Sequence, residues 1–338
     1  MSERPVHTIA DIARLAGVSK ATVSRALNDS PLISAETKER VRSIAKEHRF
    51  QMNAPARRLS LQASSAIAFI TYDYGTADNV PDSFVLELMS GISTALHGDD
   101  YDLLVVQVEP DDTEWPRRYL ETGRADGFIL TAATCKKALL RTLVEGGAPF
   151  AIWGISSPTG EFCSVTGDSV AGGRIATAYL LGSGRSRIGF LGGPAVEPEV
   201  KQRYEGYAAA LADAGHEVDP ELVVNVMWHR GAAGVATAVD GLLGRAPDLD
   251  AIFANSDNFA IAAMDALRAR GRRVPDDVAV VGYDDVAVAR HANPPLTTIR
   301  QSGPLIGRLL AENLLQHLRT GAITSASIPA ELIVRESA

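Results

Sequence analysis

Cysteine is nearly absent: 338 residues contain two, Cys135 and Cys163. That excludes a disulfide framework and any C-x-x-C metal or redox pair, and suits a reducing compartment. No apolar run approaches the ~20 residues that cross a bilayer, so no membrane association is expected. The N-terminus, Met1-Ser2-Glu3-Arg4-Pro5, is polar and no apolar stretch follows it, so a secretory signal is not expected and the protein is read as cytoplasmic. The seven histidines are scattered without metal-ligand spacing. There is no Gly-x-x-x-x-Gly-Lys-Ser/Thr loop, no Gly-x-Gly-x-x-Gly after the first strand and no Gly-x-Ser-x-Gly elbow. No metal, no cofactor and no catalytic residue is therefore expected.

What is present is an ordinary globular composition, 46% hydrophobic and 22% charged, long enough for two or three domains. The net charge of −8 at first argues against nucleic acid. Its distribution reverses that. Through Gln62 there are 11 Lys+Arg against 6 Asp+Glu, a net +5, and the remainder has 22 against 35, a net −13. A basic head on an acidic body points to a phosphate-binding module joined to something else.

Thr8-Ile9-Ala10-Asp11 reads as a helix start, with Thr8 as cap and Asp11 favoured by the helix N-terminus. Ile9, Ile12, Ala13 and Ala16 follow at helical spacing, and Gly17 ends the run. Ser19 caps a second helix, Lys20 to about Leu27, with Val23, Ala26 and Leu27 inward. Ser34 to Thr37 opens a third, through about His48. A plain three-helix bundle would fit the same pattern. The shortness of the first two helices and the cationic outer face of the second (Lys20, Ala21, Thr22, Arg25) favour a helix-turn-helix that reads DNA.

The run from Thr8 to Asn28 resembles the DNA-binding signature of the lac-repressor (LacI/GalR) family of transcriptional regulators. The segment Phe50-Gln51-Met52-Asn53-Ala54-Pro55-Ala56-Arg57-Arg58-Leu59 is similar to that family's hinge, with Met52 where the family has proline and a proline at Pro55 instead. The resemblance implies that Leu59 is an apolar wedge at the central minor-groove step, with Asn53, Ala56 and Arg57 lining that groove. It places Lys20, Ala21 and Arg25 against base edges, Arg25 suiting a guanine and Ala21 at most a thymine methyl. Ser19, Thr22, Ser24 and Asn28 are expected as phosphate or backbone partners, and Thr8 completes the expected DNA-binding set. The expected domains are residues 1–49 as the helix-turn-helix domain, 50–63 as hinge helix and linker, and 64–338 as effector-binding and dimerisation body.

From Ser64 onward, apolar runs alternate with amphipathic stretches. Strands are expected at Ala66–Ile70, Asp102–Val106, Gly127–Leu130, Phe150–Trp153, Arg187–Leu191, Val223–Trp228, Ala251–Ala254 and Val278–Gly282. Helices are expected at Phe84–Leu96, Lys136–Glu145, Gly172–Leu181, Arg203–Ala214, Gly231–Leu243 and Phe259–Arg270. Such alternation implies parallel sheets covered by helices, and eight units suit two lobes better than one sheet. The fold class is thus an α/β body, two-lobed and periplasmic-binding-protein-like with parallel sheets, behind a small all-α helix-turn-helix domain. The resemblance puts the N-lobe at about 64–165 plus 296–325 and the C-lobe at about 166–295 plus 326–338, with three crossovers.

Open α/β sheets bind ligands at the carboxyl ends of their strands. Tyr72, Asp82, Phe84, Trp153, Arg203, Trp228, Ser256, Asp284 and Gln301 are the expected effector-binding residues. The resemblance assigns Arg203 and Asp284 as the effector's arginine and aspartate, Ser256 as a contact and Gln301 as a rim residue. Sugars need carboxylates and guanidinium groups for paired hydroxyls, and an aromatic face such as Phe84, Trp153 or Trp228. Asp257 and Asp285 read as helix caps and Tyr283 as packing, while Trp228 is open to a second reading as a strand-end core residue. Where sugar-binding relatives place an aspartate after the fourth strand, this sequence has Gly154, so an unusual sugar or a phosphorylated or acidic metabolite stays open.

The expected function is a sequence-specific, DNA-binding transcriptional regulator. Its partners would be double-stranded, pseudopalindromic operator DNA and a small-molecule effector, most simply a carbohydrate, bound between the lobes. Repression released by a sugar is the commoner family behaviour. A homodimer is expected, and no heptad tail follows Arg335-Glu336-Ser337-Ala338 that would hold a tetramer. The alternatives are a solute-binding protein, which the basic head argues against, and a two-lobed sugar-processing enzyme, which would need a catalytic pair in the cleft.

Overall fold

A computed structural model of the chain describes residues 8–27, 29–48, 50, 64–72 and 83–338. It divides into two compact units, Met1–Ser64 and Ser65–Ala338.

The first unit holds α1 (Ile9–Ala16), α2 (Lys20–Leu27) and α3 (Ala35–Glu47). Thr8 caps α1 reciprocally: its hydroxyl accepts from the Asp11 amide, and the Asp11 carboxylate accepts from the Thr8 amide at 3.1 Å. Gly17 then turns the chain at φ +67°, a left-handed conformation that a side chain resists. Ile12, Ala16, Val23, Ala26 and Val41 make a core small enough that alanines suffice between the helices. Asp29, at φ +56°, is tied to α3 by Lys38 at 3.0 Å and Arg42 at 2.7 Å, which hold its carboxyl below the ordinary range.

The second unit contains two six-stranded sheets. The first uses β1 (Ala66–Tyr72), β2 (Asp102–Val108), β3 (Gly127–Thr131), β4 (Phe150–Trp153), β5 (Cys163–Gly167) and β11 (Ser325–Ile328). Their order is β11-β5-β4-β3-β1-β2, all parallel. The second uses β6 (Ile188–Gly192), β7 (Val223–Asn225), β8 (Ala251–Ala254), β9 (Ala279–Asp284), β10 (Thr297–Arg300) and β12 (Glu331–Ile333). It runs β12-β10-β9-β8-β6-β7, parallel except for β12 against β10. Central strands such as β9 are buried along their whole length, which is why they read as unbroken apolar runs rather than alternations.

Helices cover both faces of each sheet. In the first lobe, α4 (Ser83–His97) and α11 (Gly303–Thr320) bury Leu88, Ile92, Leu310 and Leu314 on one face. On the other face, α5 (Trp115–Glu121) and α6 (Lys137–Glu145) bury Trp115, Leu139 and Leu143. In the second lobe, α7 (Ser169–Gly182) and α8 (Pro198–Asp213) cover one face, and α9 (Gly231–Arg245) and α10 (Asp257–Ala269) the other. The helices α7 and α8 touch backbone to backbone: a Cβ on Gly206 would overlap the Val170 carbonyl oxygen, and one on Gly173 the Arg203 carbonyl oxygen.

The lobe boundaries differ from those expected. Residue 296 was to begin the return to the first lobe, yet β10 pairs with β9 in the second sheet, so that crossing follows Arg300. The last crossing also comes later than residue 325, because β11 pairs with β5 and only β12 joins the second sheet. The expected strand at Val223–Trp228 stops at Asn225, and Trp228 opens a short 3-10 turn. Among the described residues, no helix is long and apolar enough to cross a membrane.

Candidate functional site

The outer side of α2 collects the residues expected to meet DNA. Val23 and Ala26 face the core, so helical periodicity leaves Lys20, Ala21 and Arg25 exposed and Thr22 and Ser24 half-buried. The Ser19 hydroxyl accepts from the Thr22 amide at 3.0 Å, and the two hydroxyls lie 2.9 Å apart. One hydroxyl hydrogen is used within that pair and the other remains for a phosphate oxygen. The Thr8 hydroxyl donates to the Asp11 carboxylate at 2.7 Å, so its first role is capping. Asn28, Asn53, Ala56, Arg57 and Leu59 lie outside the described residues, as does Asp82.

A second cluster forms at the carboxyl ends of the body's strands. The order β7-β6-β8 puts a topological switch between β6 and β8, the place where doubly wound sheets open a crevice. The helix α8 follows β6 and carries Arg203, which is 5% exposed. Its Nη1 donates to the Asn255 carbonyl at 2.5 Å, and its Nη2 lies 3.9 Å from the Asp284 carboxylate. Its guanidinium sits 3.7 Å above the Tyr283 ring. The Gln301 amide donates to Asp284 at 2.6 Å, joining the end of β10 to the end of β9. Asp284 itself has φ +115°, a conformation that costs an aspartate on the order of 1–3 kcal/mol and that clusters at ligand sites. Around this arginine, three buried polar atoms have no hydrogen-bond partner among the described residues: Arg203 Nε, Asn255 Oδ1 and Gln301 Oε1. Buried polar groups are nearly always satisfied, so a ligand or water is the natural completion.

The first lobe contributes apolar surface. Trp153 ends β4 and packs 6.0 Å from Phe84 in the first turn of α4, both buried. A Cβ on Gly167 would lie 3.3 Å from Trp153 and 3.2 Å from Gln301 Oε1, so those two side chains share one wall across that glycine. Tyr72 is buried at the end of β1.

Two acids in this cluster were not expected. The Trp228 indole donates to Glu197 at 2.8 Å. Burial pushes the Glu197 carboxyl up to about 7 although that hydrogen bond opposes it. Glu199, one turn before Arg203, has its carboxyl raised by burial, against the pull of Arg203. A Cβ on Gly154 would overlap the Glu199 Oε1 atom and come within 3.1 Å of the Ala132 Cβ. Glu199 therefore reaches from the second lobe into the space that Gly154 leaves in the first. Pro198 at the helix start was the available signal, since it fixes where α8 begins and puts Glu199 in its first turn.

Residues 8–53 match the family described as bacterial regulatory proteins, lacI family, and residues 177–338 match the periplasmic binding protein-like domain. The HTH-type transcriptional regulator CelR of Thermobifida fusca is 36% identical over 343 residues, covering 100% of both chains. The chain belongs to the lacI family. It is a DNA-binding transcriptional regulator with a periplasmic-binding-protein-like body. Among solved structures, a CelR–cellobiose complex superposes with TM-score 0.74 at 33% identity, covering 99% of this chain and 100% of that one. The lac repressor dimer bound to operator and an anti-inducer gives TM-score 0.80 at 25% identity, with 99% of each chain covered.

Two expectations within this lacI-family site change. Asp257 is not a cap: Ser256 caps α10, accepting from the Phe259 amide at 3.2 Å. Asp257 is wholly buried and accepts from the Thr298 hydroxyl at 2.5 Å and the Val286 amide at 2.9 Å, its carboxyl raised to about 7 by burial. Asp285 is not a cap either, but is the acceptor for Arg300 at 2.7 Å and for Arg335. Tyr283 packs as expected, and its ring also supports Arg203. Among the described residues no group of three His, Cys, Asp or Glu is placed to hold a metal.

Proposed function

We propose that this regulator acts as a homodimer on a pseudopalindromic operator and that a sugar or sugar derivative bound between the two lobes controls its grip. The arrangement that carries this reading is the convergence of Arg203, Asp284, Gln301 and the orphaned Asn255 Oδ1 at the mouth of the second sheet, facing Trp153 and Phe84 of the first lobe. A guanidinium, carboxylates and amides bond paired hydroxyls, while indole and phenyl rings cover the C–H side of a pyranose. The full-length similarity to CelR and to a solved CelR–cellobiose complex supports the same class of ligand.

On the DNA, Lys20, Ala21 and Arg25 meet base edges in the major groove while Ser19, Thr22, Ser24, Asn28 and Thr8 hold the backbone. The hinge residues Asn53, Ala56, Arg57 and Leu59 act in the minor groove. Within the body, Tyr72, Asp82, Phe84, Trp153, Arg203, Trp228, Ser256, Asp284 and Gln301 form the effector site. Two-fold symmetry pairs the heads with two half-sites, as in the lac repressor dimer bound to its operator. The protein represses in the cytoplasm, catalyses nothing, and is released when the sugar favours the other lobe arrangement. Selection of random duplexes on the full-length protein tests this. Enrichment of an inverted repeat, weakened by a sugar that binds the body, supports it; a sequence-indifferent pool contradicts it.

A further inference from the structure

The vacancy at Gly154 and the reach of Glu199 belong together. Gly154, at φ +88°, follows the last residue of β4 in the first lobe. Any side chain there would occupy the place of the Glu199 carboxylate. That carboxylate has no hydrogen bond among the described residues, although it is half-buried and lies against Gly154 of the first lobe. Glu197, two residues earlier, is held by the Trp228 indole. Of the described cations, only Arg203 acts on either carboxyl, and its guanidinium already serves Asp284 and the Asn255 carbonyl.

From this geometry we infer that Glu199 is a specificity residue of the effector site, supplied by the opposite lobe in place of a side chain at position 154, and that it selects uncharged, hydroxyl-bearing saccharides over phosphorylated or acidic ones. The inference rests on the sugar-effector reading above and sharpens it. A phosphate or carboxylate entering beside Glu197, Glu199 and Asp284 meets three acids against one guanidinium whose two Nη atoms are already engaged, so its desolvation is poorly offset. A neutral hydroxyl donates to a carboxylate, or accepts from a carboxylic acid, and fits either protonation state. The half-buried Glu199, its carboxyl raised by desolvation, suits both exchanges. Because Glu199 sits on the helix that carries Arg203 and contacts the first lobe at Gly154, a sugar bonded to it touches both lobes, which is what differential affinity for two lobe arrangements requires.

The test uses the full-length protein at pH 7.5 with four probes and larger neutral panels built on them: D-glucose and cellobiose, against D-glucose 6-phosphate and D-glucuronate. Thermal shift finds binders and calorimetry gives Kd. The expected result is stabilisation by one or more neutral saccharides and none by the anions at equal concentration. Glu199→Gln should weaken the bound neutral sugar at least tenfold and narrow its advantage over its anionic counterpart; Glu199→Ala should weaken it further. The change in neutral-to-anion preference separates a ligand contact from a merely structural role, which would lower both alike. An anion that binds wild type more tightly than its neutral counterpart overturns the inference. So does a Glu199→Gln protein with unchanged Kd, and that outcome leaves the sugar effector standing. Silence across every saccharide overturns the inference and the sugar reading together.

Discussion

Replacing Glu197 with glutamine should change the pH dependence of the body's stability in a calculable way. The carboxyl is pushed up to about 7 in the folded protein, chiefly by burial, from an ordinary value of 4.5. Between those values the folded state holds a proton that the unfolded state has released, so stability falls as pH rises. The contribution is fully present below the unfolded value and lost once pH passes the folded one. At about 1.4 kcal/mol per unit, the whole loss approaches roughly 3 kcal/mol. Glutamine keeps the shape, and its oxygen still accepts from the Trp228 indole, but it does not titrate. Glu197→Gln should therefore exceed wild type by roughly 1 kcal/mol at pH 5.5 and by roughly 3 kcal/mol at pH 8.5. Asp257, raised in the same sense, is common to both proteins and cancels in the difference. Urea unfolding followed by tryptophan fluorescence reads the body alone, because the three tryptophans are Trp115, Trp153 and Trp228. Parallel pH curves for the two proteins would refute the desolvated setting of Glu197 beside Trp228.

Arg25→Ala should cost about 1–3 kcal/mol on the selected operator and relax preference at one base position, as read by anisotropy on a set of single-substituted duplexes. Asp284→Ala should leave operator binding in place and remove its response to the sugar, because the acceptor shared by Arg203 and Gln301 is gone. Gly206→Ala should lower body stability by about 3 kcal/mol, since the new methyl meets the Val170 carbonyl oxygen, and the urea midpoint measures it.

How much of this was legible in the sequence depended on which signals were local. The head was, because the caps at Thr8, Ser19 and Ser34, the turn at Gly17 and the spacing of Ile12, Ala16, Val23 and Ala26 are short-range. Central strands were, because burial on both faces writes them as apolar runs. The strands β5 (Cys-Ser-Val-Thr-Gly), β11 (Ser-Ala-Ser-Ile) and β12 (Glu-Leu-Ile) were not, since they are short, lie at or next to sheet edges and mix polar with apolar residues. The lobe boundary near residue 296 was misjudged because Thr297–Arg300 pairs with β9 through partners far away in sequence. In the cleft, Arg203, Asp284, Gln301, Trp153 and Phe84 were named, and the structure places them together. Glu197 and Glu199 were missed, because Pro198 marks only where α8 begins, and the crossing of a carboxylate from one lobe into the gap left by a glycine in the other depends on residues far apart in sequence.

The central claim is that a DNA-reading head and an effector-binding body are coupled in one protein. The most direct measurement is the operator Kd of the full-length protein with and without a saturating saccharide, together with the Kd of that saccharide with and without operator. Linkage requires both ratios to be equal, and coupling of this kind is typically about 5–150-fold. Equal ratios in that range are the predicted result. Ratios of one in both directions, with each ligand still bound, would contradict the account.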